Sequence, residues 1–405
     1  MLVGGLMSEK IILAYSGGLD TSVAIKWIQE NYGYEVVTLT ADLGNVSDLP
    51  AIKQRALDVG AISARVADVR SEFVKDFVFP ALRANAMYQG VYPLATALGR
   101  PLIARLMVEA AREEGASAVA HGCTGKGNDQ VRLDVSVGAL APDLKVIAPA
   151  REWGMTRLQE IEYAESHNIS VPNTVEKPYS TDDNVWGRSI EAGVLEDPST
   201  EPPDDVYEWT ADPSDCPEDP LYLNIRFENG NPVALDGKVM NPLALVESLS
   251  EMAGAHGIGR IDHIEDRLVG IKSREIYEAP AAVVLVQAHK ALENMVLTRA
   301  QGRFGETVST EYSNLVYDGL WFSHLRDNLQ AYIDSSQRYV NGSVRIKMHK
   351  GSFIVVGREA DTPLYSTELA TYDTGDLFDQ SSAPGFIDLW GLPVRTQARF
   401  QSDEL

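Results

Sequence analysis

Two patterns of hydrophobic and polar positions, one typical of strands and one typical of helices, alternate along the first third of the chain. Short apolar or β-branched runs, typical of strands covered on both faces, occupy residues 11–15, 35–40, 64–69 and 117–120. Apolar positions at helical spacing occupy residues 21–30, 49–59 and 100–114. This β-α-β-α order predicts an α/β fold with a doubly wound, mostly parallel sheet, whose ligands bind at the carboxyl ends of its strands.

The pattern changes after about residue 170. Residues 195–220 contain ten acidic residues, six prolines and no lysine or arginine. This segment therefore predicts an irregular excursion or a surface linker, and its flank at residues 179–193 stays polar. Further on, hairpins are predicted over 221–235 and 344–356, and helices over residues 242–253, 281–298 and 319–338. We expect the second half to form a separate α+β domain.

Near the C-terminus, an apolar segment at residues 386–392 follows a stretch rich in Ser, Pro and Gly. A short apolar segment is a poor candidate to stand alone in water, so it docks either on a neighbouring subunit or on its own chain. The sequence leaves both alternatives open. We expect three parts: a doubly wound domain over residues 1–172, an α+β domain over 173–370 and a C-terminal arm over 371–405.

The composition excludes several kinds of partner. Thirty-five Lys and Arg against 58 Asp and Glu give a net charge of −23 over 405 residues, and such a field repels nucleic acids and anionic membranes. The two cysteines, Cys123 and Cys216, form no disulfide framework or C-x-x-C motif. No apolar run approaches the ~18 residues that span a bilayer, and the first six residues do not resemble a signal peptide. We expect a cytoplasmic protein without a nucleic-acid or membrane partner.

The densest chemical signal is the run Ser16-Gly17-Gly18-Leu19-Asp20-Thr21-Ser22, between a predicted strand and a predicted helix. The glycines let the backbone approach an anion, the hydroxyls donate hydrogen bonds, and the helix start adds free N–H groups and a positive dipole end. A capped turn is the plainer alternative, but it needs only one glycine and one cap. The run lacks the third glycine of a dinucleotide fingerprint, and Lys126 is followed by glycine, unlike a Walker A lysine.

This run resembles the S-G-G-x-D-[ST]-S loop of the N-type ATP pyrophosphatases, and residues 14–22 resemble its version in the argininosuccinate synthase family. A second run, residues 121–132 (HGCTGKGNDQVR), is similar to that family's H-G-x-T-G-K-G-N-D-Q-x-R motif. Residues 179–193 (YSTDDNVWGRSIEAG) and 257–280 (GIGRIDHIEDRLVGIKSREIYEAP) agree as well. The resemblance keeps the same order from Ile11 to Pro280 and so covers most of the chain.

The resemblance implies a ligase that joins citrulline to aspartate with ATP, releases AMP and pyrophosphate, and serves arginine biosynthesis. The ureido oxygen of citrulline would attack the α-phosphorus to form citrullyl-AMP, from which the aspartate amine would expel AMP. The three parts would then be an ATP-binding domain, a synthetase domain and an oligomerisation arm of a homotetramer. ATP with Mg²⁺ is implied, and no protein ligand of a metal is assigned.

The resemblance also implies a role for particular residues. The ATP-binding residues would be Ala14, Tyr15, Ser16, Gly17, Gly18, Leu19, Asp20, Thr21, Ser22, Ala41 and Gly122. The citrulline-binding residues would be Tyr92, Asn128, Arg132, Ser180, Ser189, Glu265 and Tyr277. The aspartate-binding residues would be Thr124, Asn128 and Asp129. These residue types suit the implied roles. Hydroxyls and amides donate hydrogen bonds to carboxylates, carboxylates accept from ammonium groups, and a guanidinium group can donate two hydrogen bonds to one carboxylate.

Plainer roles stay open at several positions. Asn128 or Asp129 could cap the helix that follows them, Arg132 could be a solvated surface charge, and Lys126 could be an ordinary loop lysine. No Ser-His-Asp triad, H-E-x-x-H motif or paired-carboxylate site occurs in the sequence, and none is required, because the substrates supply both nucleophiles. The catalytic residues are therefore unassigned, with Asp20 and Lys126 as candidates.

Two positions depart from the family pattern. Ala97 stands where some members carry a serine that touches citrulline, so Thr96 or the backbone would substitute. Asn45 stands where many members carry glutamine, at one edge of the nucleotide pocket. The alternatives are another ATP pyrophosphatase, such as an NAD⁺ or GMP synthetase or a tRNA thiolase, and a regulator that senses ATP without turnover. A thiolase should show catalytic cysteines and a basic face, and a sensor has no need of two amino-acid-binding loops.

Overall fold

The computed structural model describes residues 9–45, 48–170, 179–372 and 377–401. The first six residues and the expected boundary at 172/173 lie outside the described residues. The chain divides into two compact units after Asp361. The expected division into three parts stays a prediction.

A parallel sheet forms the first third of the chain, as the apolar runs predict. Its strands are β1 (Lys10–Ala14), β2 (Glu35–Asp42), β3 (Ser63–Asp68), β4 (Ala118–Ala120) and β5 (Lys145–Ile147). They lie in the order β3-β2-β1-β4-β5, and every pair is parallel. Ile11, Ile12 and Leu13 on the central strand are fully buried, which explains why that strand is apolar at successive positions.

Helices connect these strands and follow the last of them. They are α1 (Leu19–Tyr32), α2 (Leu49–Val59), α3 (Arg70–Phe73), α4 (Phe79–Arg83), α5 (Ala95–Glu114), α6 (Asp129–Leu140), α7 (Pro149–Glu152) and α8 (Arg157–Ser166), with a π-helical stretch at Val74–Val78. The predicted helices over 21–30 and 49–59 are confirmed as α1 and α2, and Gly60 ends α2 with a φ of 117°. Helix α5 begins at Ala95, upstream of its predicted start, and includes Pro101.

The chain also forms two antiparallel sheets. One contains both predicted hairpins, and the other was not predicted. In chain order the strands are β6 (Ser180–Asn184), β7 (Gly187–Glu191), β8 (Leu221–Glu228), β9 (Asn231–Leu235), β10 (Lys238–Val239), β11 (Arg260–Asp266), β12 (Lys272–Glu278), β13 (Gly342–His349) and β14 (Ser352–Ala360). The hairpins β8–β9 and β13–β14 lie in the order β10-β9-β8-β13-β14, and the second sheet has the order β11-β12-β7-β6.

The polar flank at residues 179–193 contains the strands β6 and β7, which the sequence pattern did not predict. The charged side chains of these strands form ion pairs with other parts of the protein. Arg188 on β7 is 3% exposed and pairs at 2.8 Å with Glu278 on β12, which is 0% exposed. The irregular character predicted for residues 195–220 is confirmed, since the segment has only 3₁₀ turns, Gly193–Glu196 and Asp204–Val206.

Four longer helices complete the first unit: α9 (Pro242–Ala255), α10 (Pro280–Val296), α11 (Arg299–Tyr317) and α12 (His324–Ser336). Helix α11 was not predicted, because much of it is polar and exposed. The helix predicted from residue 319 begins only at His324, since Gly319 has a φ of 78° and Ser323 caps the helix by accepting from the Arg326 N–H.

The second unit contains α13 (Thr367–Ala370), α14 (Ala383–Trp390) and α15 (Leu392–Gln401). The predicted apolar segment lies in α14, where Phe386 stacks on Trp390 at 5.6 Å between ring centroids. Both rings are largely exposed, Trp390 to 69%. Within the described ranges no helix is long and apolar enough to cross a membrane.

Candidate functional site

The site begins at the centre of the parallel sheet. Strand β2 lies on one side of β1 and β4 lies on the other, so the chain reverses its winding direction between β1 and β4. Ligands of doubly wound proteins bind in the crevice at such a switch point. The Ser16–Ser22 run follows β1 and the His121–Arg132 run follows β4, so the fold brings both sequence motifs to this crevice.

The first loop has the backbone form that a phosphate cradle needs. Gly17 has a φ of 81°, a value that other residues adopt only with strain. Gly18 caps α1 in an extended conformation without a side-chain hydrogen bond. The plainer alternative of a Ser or Asp cap is therefore not what the structure contains, and the first turn of α1 keeps backbone N–H groups for an anion.

Neighbouring side chains hold this loop in place. Arg55 Nη1 donates to the Gly17 carbonyl at 2.7 Å, and Thr40 donates to the Tyr15 carbonyl at 2.8 Å. The Ser16 and Thr21 hydroxyls lie 3.1 Å apart. These contacts come from β2, α2 and the loop itself, so the cradle is formed before a ligand binds.

The second loop packs directly on the first. A Cβ built on Gly122 would lie 2.9 Å from Thr21 Cγ2, so a larger residue at 122 would displace the phosphate loop. Of the other predicted residues here, Thr124 and Lys126 are exposed, while Ala41, at the end of β2, is partly buried.

A buried histidine fixes the conformation of the second loop. His121 Nδ1 accepts the Cys123 N–H at 3.2 Å, so the proton is on Nε2, which donates to Asp134 at 2.6 Å. Arg151 holds the other oxygen of Asp134 at 2.8 Å. Burial raises the pKa of the Cys123 thiol to about 12, which leaves it protonated and unsuited to act as a nucleophile.

Asn128 lies between two distant segments rather than capping α6. No side-chain hydrogen bond of Asn128 caps the helix. Its amide nitrogen donates to the Tyr317 hydroxyl at 2.8 Å, and its amide oxygen accepts the Leu268 N–H at 2.9 Å. Asn128 thereby joins the second loop to α11 and to the turn that follows β11.

Asp129 opens α6 between two arginines. Arg100 Nη2 contacts one carboxylate oxygen at 2.7 Å and Arg132 Nη1 contacts the other at 2.9 Å. Burial acts to raise the pKa of Asp129, but the two guanidinium groups outweigh it and lower that pKa to about 2. Arg100 also contacts Asp182 on β6, so this charged cluster bridges the parallel sheet and the unpredicted antiparallel sheet.

Arg132 is buried, which rules out the solvated surface charge considered for it. Its side chain is 3% exposed, and Nε donates to the Tyr317 carbonyl at 2.9 Å. Nη2 is also buried and has no hydrogen-bond partner among the described residues. A buried guanidinium N–H without an acceptor is costly, and a carboxylate of a ligand is the acceptor that a guanidinium fork fits best.

The unpredicted sheet supplies the opposite wall. Tyr277 on β12 lies directly across from Ser189 on β7, and its hydroxyl donates to Glu265 on β11 at 2.5 Å. The ring of Tyr92 stacks on Tyr277 at 4.2 Å. The structure thus brings together four of the predicted citrulline residues, whereas Ser180 lies at the exposed start of β6.

The two departures from the family pattern have different surroundings. Ala97 is buried, and the neighbouring Thr96 hydroxyl lies 2.8 Å from the Tyr92 hydroxyl, so Thr96 is the polar group closest in the chain to that position. Asn45 is exposed. Sequence reasoning missed Arg100 and Tyr317, which lie outside the quoted motifs, and Asp182, which lies inside the run 179–193 but was given no role; all three join the site through tertiary contacts.

Asp20, in the first turn of α1, belongs to a pair of carboxyl groups. Arg157 Nη1 contacts Asp20 at 2.6 Å. Burial, together with the charge and hydrogen bonding of Asp20, raises the pKa of the nearby Glu160 to about 7. Glu160 therefore changes its protonation state beside this loop near neutral pH.

This pair predicts a pH-dependent stability. The pKa of Glu160 is raised from 4.5 to about 7 in the folded state. Its favourable contribution to the free energy of unfolding is therefore fully present below pH 4.5 and is lost as the pH rises through about 7. We expect Glu160→Gln, which stays neutral, to gain stability relative to the wild type as the pH rises from 4.5 to 8. Urea unfolding of both proteins across this range measures the difference, and a difference that does not change with pH would contradict the assignment.

A phosphate cradle at the switch point of a parallel sheet places this chain among the nucleotide-binding α/β proteins of the HUP type. Comparison with family models agrees. Residues 10–170 match the arginosuccinate synthase N-terminal HUP domain, and residues 179–397 match the arginosuccinate synthase C-terminal domain. The chain belongs to the argininosuccinate synthase family.

Individual relatives extend over nearly the whole chain. The argininosuccinate synthase of a Dehalococcoides mccartyi strain is 60% identical over 395 residues, which are 98% of this chain and 97% of that protein. That of Rubrobacter xylanophilus is 55% identical over 402 residues, 99% of this chain and 97% of the relative. Among solved structures, the U34-tRNA thiolase NcsA of Methanococcus maripaludis is 14% identical and covers 42% of this chain and 60% of its own. Its TM-score of 0.26 is too low to bear on fold or function.

Proposed function

We propose that this protein joins L-citrulline and L-aspartate to form argininosuccinate, with ATP cleaved to AMP and pyrophosphate, as a step of arginine biosynthesis. One observation carries the proposal. The phosphate-type loop after β1 lies beside the second loop and the start of α6, where the buried Arg132 has an unsatisfied N–H group, so one crevice offers sites for a nucleotide and for a carboxylate substrate. Membership of the argininosuccinate synthase family over both domains supports this ligation against the alternative synthetases, the thiolase and the sensor.

The first chemical step activates citrulline. Its ureido oxygen attacks the α-phosphorus of ATP, so a P–O bond forms and the bond from that phosphorus to pyrophosphate breaks. The Ser16–Ser22 loop is proposed to hold the leaving phosphates, and its hydroxyls and the N–H groups at the start of α1 support this role. Residues 14–22, Ala41 and Gly122 are the proposed ATP-binding residues.

The second step forms the C–N bond. The aspartate amine attacks the ureido carbon of citrullyl-AMP, and the C–O bond to AMP breaks. Thr124, Asn128 and Asp129 are the proposed aspartate-binding residues. Asp129 already contacts Arg100 and Arg132, but each carboxylate oxygen has two lone pairs, so the substrate ammonium can share it.

Citrulline is proposed to lie between α6 and the unpredicted sheet. Arg132 would take its carboxylate on Nη2, and Glu265 would accept from its ammonium group. The remaining contacts would come from Tyr92, Asn128, Ser180, Ser189 and Tyr277. The reaction then depends on positioning and charge stabilisation, with Asp20 and Lys126 as the candidates for a direct catalytic role.

We propose that Mg²⁺ accompanies ATP. Mg²⁺ in such sites takes one or two carboxylates together with substrate phosphates. Asp20 fits this role, because its carboxylate lies in the first turn of α1 and is partly exposed beside the phosphate loop. When bound, the ion would neutralise phosphate charge. In the parts of the chain that the structure describes, no group of three or more His, Cys, Asp or Glu could hold a metal by itself.

Steady-state turnover tests the proposed function. With ATP, citrulline and aspartate together, we expect sustained and equal release of AMP and pyrophosphate, and accumulation of argininosuccinate. Without aspartate, release should stop after at most one equivalent per site, because citrullyl-AMP has no acceptor. Continuous release in the absence of citrulline, or no release with all three substrates, would contradict the proposal.

We also propose that the protein acts as a cytoplasmic homotetramer. Both cysteines are free, which fits a reducing compartment. Large apolar side chains of α14 and α15, including Phe386, Leu389 and Trp390, are more than half exposed, and a patch of that kind favours a contact with another subunit.

Removing residues 386–405 is therefore expected to shift the protein to smaller assemblies. The apolar face of α14 would be lost, while the compact unit up to Asp361 would keep its own core. Sedimentation velocity measures the change, and a chain shortened only by residues 402–405 is the control. An unaltered sedimentation profile after the longer deletion would refute the role of the arm.

A further inference from the structure

We propose that Tyr317 is a positioning residue that couples the citrulline and aspartate subsites through one hydroxyl group. The inference rests on the proposed function and adds a residue that no sequence motif marks. Tyr317 is the last residue of α11, the helix that the hydrophobic pattern did not predict. It is buried, and its side chain lies between the second loop and β11.

The hydroxyl of Tyr317 joins two proposed substrate contacts. It donates to Glu265 Oε1 at 2.6 Å and accepts from Asn128 Nδ2 at 2.8 Å. Glu265 is a proposed acceptor for the citrulline ammonium, and Asn128 belongs to both proposed substrate sets. Burial and then the charge of Glu265 raise the pKa of the Tyr317 phenol, so the hydroxyl keeps the proton that it donates.

The rest of Tyr317 holds Arg132. Its carbonyl accepts from Arg132 Nε at 2.9 Å, and the Arg132 guanidinium lies over its ring, 4.8 Å from the centroid. The ring also stacks on Tyr88 at 3.5 Å. The turn that follows is pressed against α6, since a Cβ on Gly319 would lie 2.8 Å from Arg132 Cα. Tyr317 thus touches three residues that are each proposed to bind substrate.

The variant Tyr317→Phe tests the role of the hydroxyl by itself, because it leaves the other contacts of Tyr317 in place. Phenylalanine keeps the ring and the carbonyl, and with them the support of Arg132. It removes one hydrogen bond to a carboxylate and leaves the Asn128 amide without its acceptor. Losing a hydrogen bond to a charged group corresponds to roughly a tenfold to hundredfold change in affinity. We expect the KM values of both citrulline and aspartate to rise by roughly tenfold or more, with a smaller change in kcat and no change in the KM of ATP.

Tyr312→Phe is the matched control. Tyr312 lies in the same helix, is fully buried and donates to Gln330 at 3.0 Å, away from both loops. Removing its hydroxyl should affect stability without raising any KM. If Tyr317→Phe is less stable in thermal unfolding, its KM values are measured below its melting temperature, because KM does not depend on the concentration of folded enzyme.

The outcomes separate this inference from the proposed function. A wild-type protein without turnover on citrulline and aspartate contradicts the proposed function itself. With an active wild type, raised KM values for both amino acids and an unchanged KM for ATP support the coupling role. Unchanged KM values, a rise for only one amino acid, or a fall in kcat alone would overturn it.

Discussion

Replacing Arg132 by lysine is expected to lower kcat/KM for citrulline by roughly a hundredfold or more, mostly through a higher KM. Breaking one partner of a buried, hydrogen-bonded charge pair costs about 2–5 kcal/mol. Lysine keeps the positive charge but not the planar fork, so it cannot hold Asp129, the Tyr317 carbonyl and a substrate carboxylate together. Because the interaction exists before the reaction begins, its loss should raise KM more than it lowers kcat.

Arg112→Lys provides the control for this change. Arg112 also forms a forked pair, with Asp143, but both side chains are more than half exposed. Exposed ion pairs contribute little, so this variant should match the wild type in every kinetic constant. Steady-state kinetics with varied citrulline decide the matter, and an unchanged citrulline KM in Arg132→Lys would show that the carboxylate binds elsewhere.

Gly17→Ala is expected to lower kcat/KM for ATP by roughly a hundredfold. An L-residue at the φ of 81° costs about 1–2 kcal/mol. Its Cβ would also lie 3.0 Å from Arg55 Nη1 and 3.2 Å from Ile52 Cγ1. Arg55 is the residue that holds the Gly17 carbonyl, so the loop must move, and a displacement of about 1 Å in a positioned site can cost roughly a hundredfold in rate.

The other end of the same helix offers a matched control. Gly33 ends α1 with a φ of 71°, and a Cβ at this position would have no neighbouring atom within 4 Å. Gly33→Ala therefore introduces similar backbone strain, about 1–2 kcal/mol, without moving the phosphate loop. We expect urea unfolding to show a loss of stability in both variants but a loss of ATP turnover only in Gly17→Ala. Equal turnover in the two variants would mean that the loop does not bind the phosphates.

The parallel sheet and its two loops could be predicted because their signals are local. A strand buried on both faces is apolar at successive positions, as residues 11–13 are, and a phosphate loop needs particular residues next to one another. Their meeting at one crevice then follows from the strand order, since β1 and β4 are neighbours.

The antiparallel wall of the site could not be predicted, because its strands carry charges that tertiary partners neutralise. Arg188 is a surface residue by type, yet it is buried against Glu278. Asp182 likewise looks solvated until Arg100, from the distant helix α5, is placed beside it. Tyr317 carries no local signal at all, and only the packing of α11 brings it to Glu265 and Asn128.

The fate of the ureido oxygen tests the central claim, that one crevice brings this atom to the α-phosphorus of ATP. Citrulline labelled with ¹⁸O at the ureido position is incubated with ATP, aspartate and the protein, and the products are examined by mass spectrometry. Attack on the α-phosphorus followed by C–O cleavage predicts one ¹⁸O in each AMP formed and none in pyrophosphate. Unlabelled AMP, or label in pyrophosphate or orthophosphate, would contradict the account.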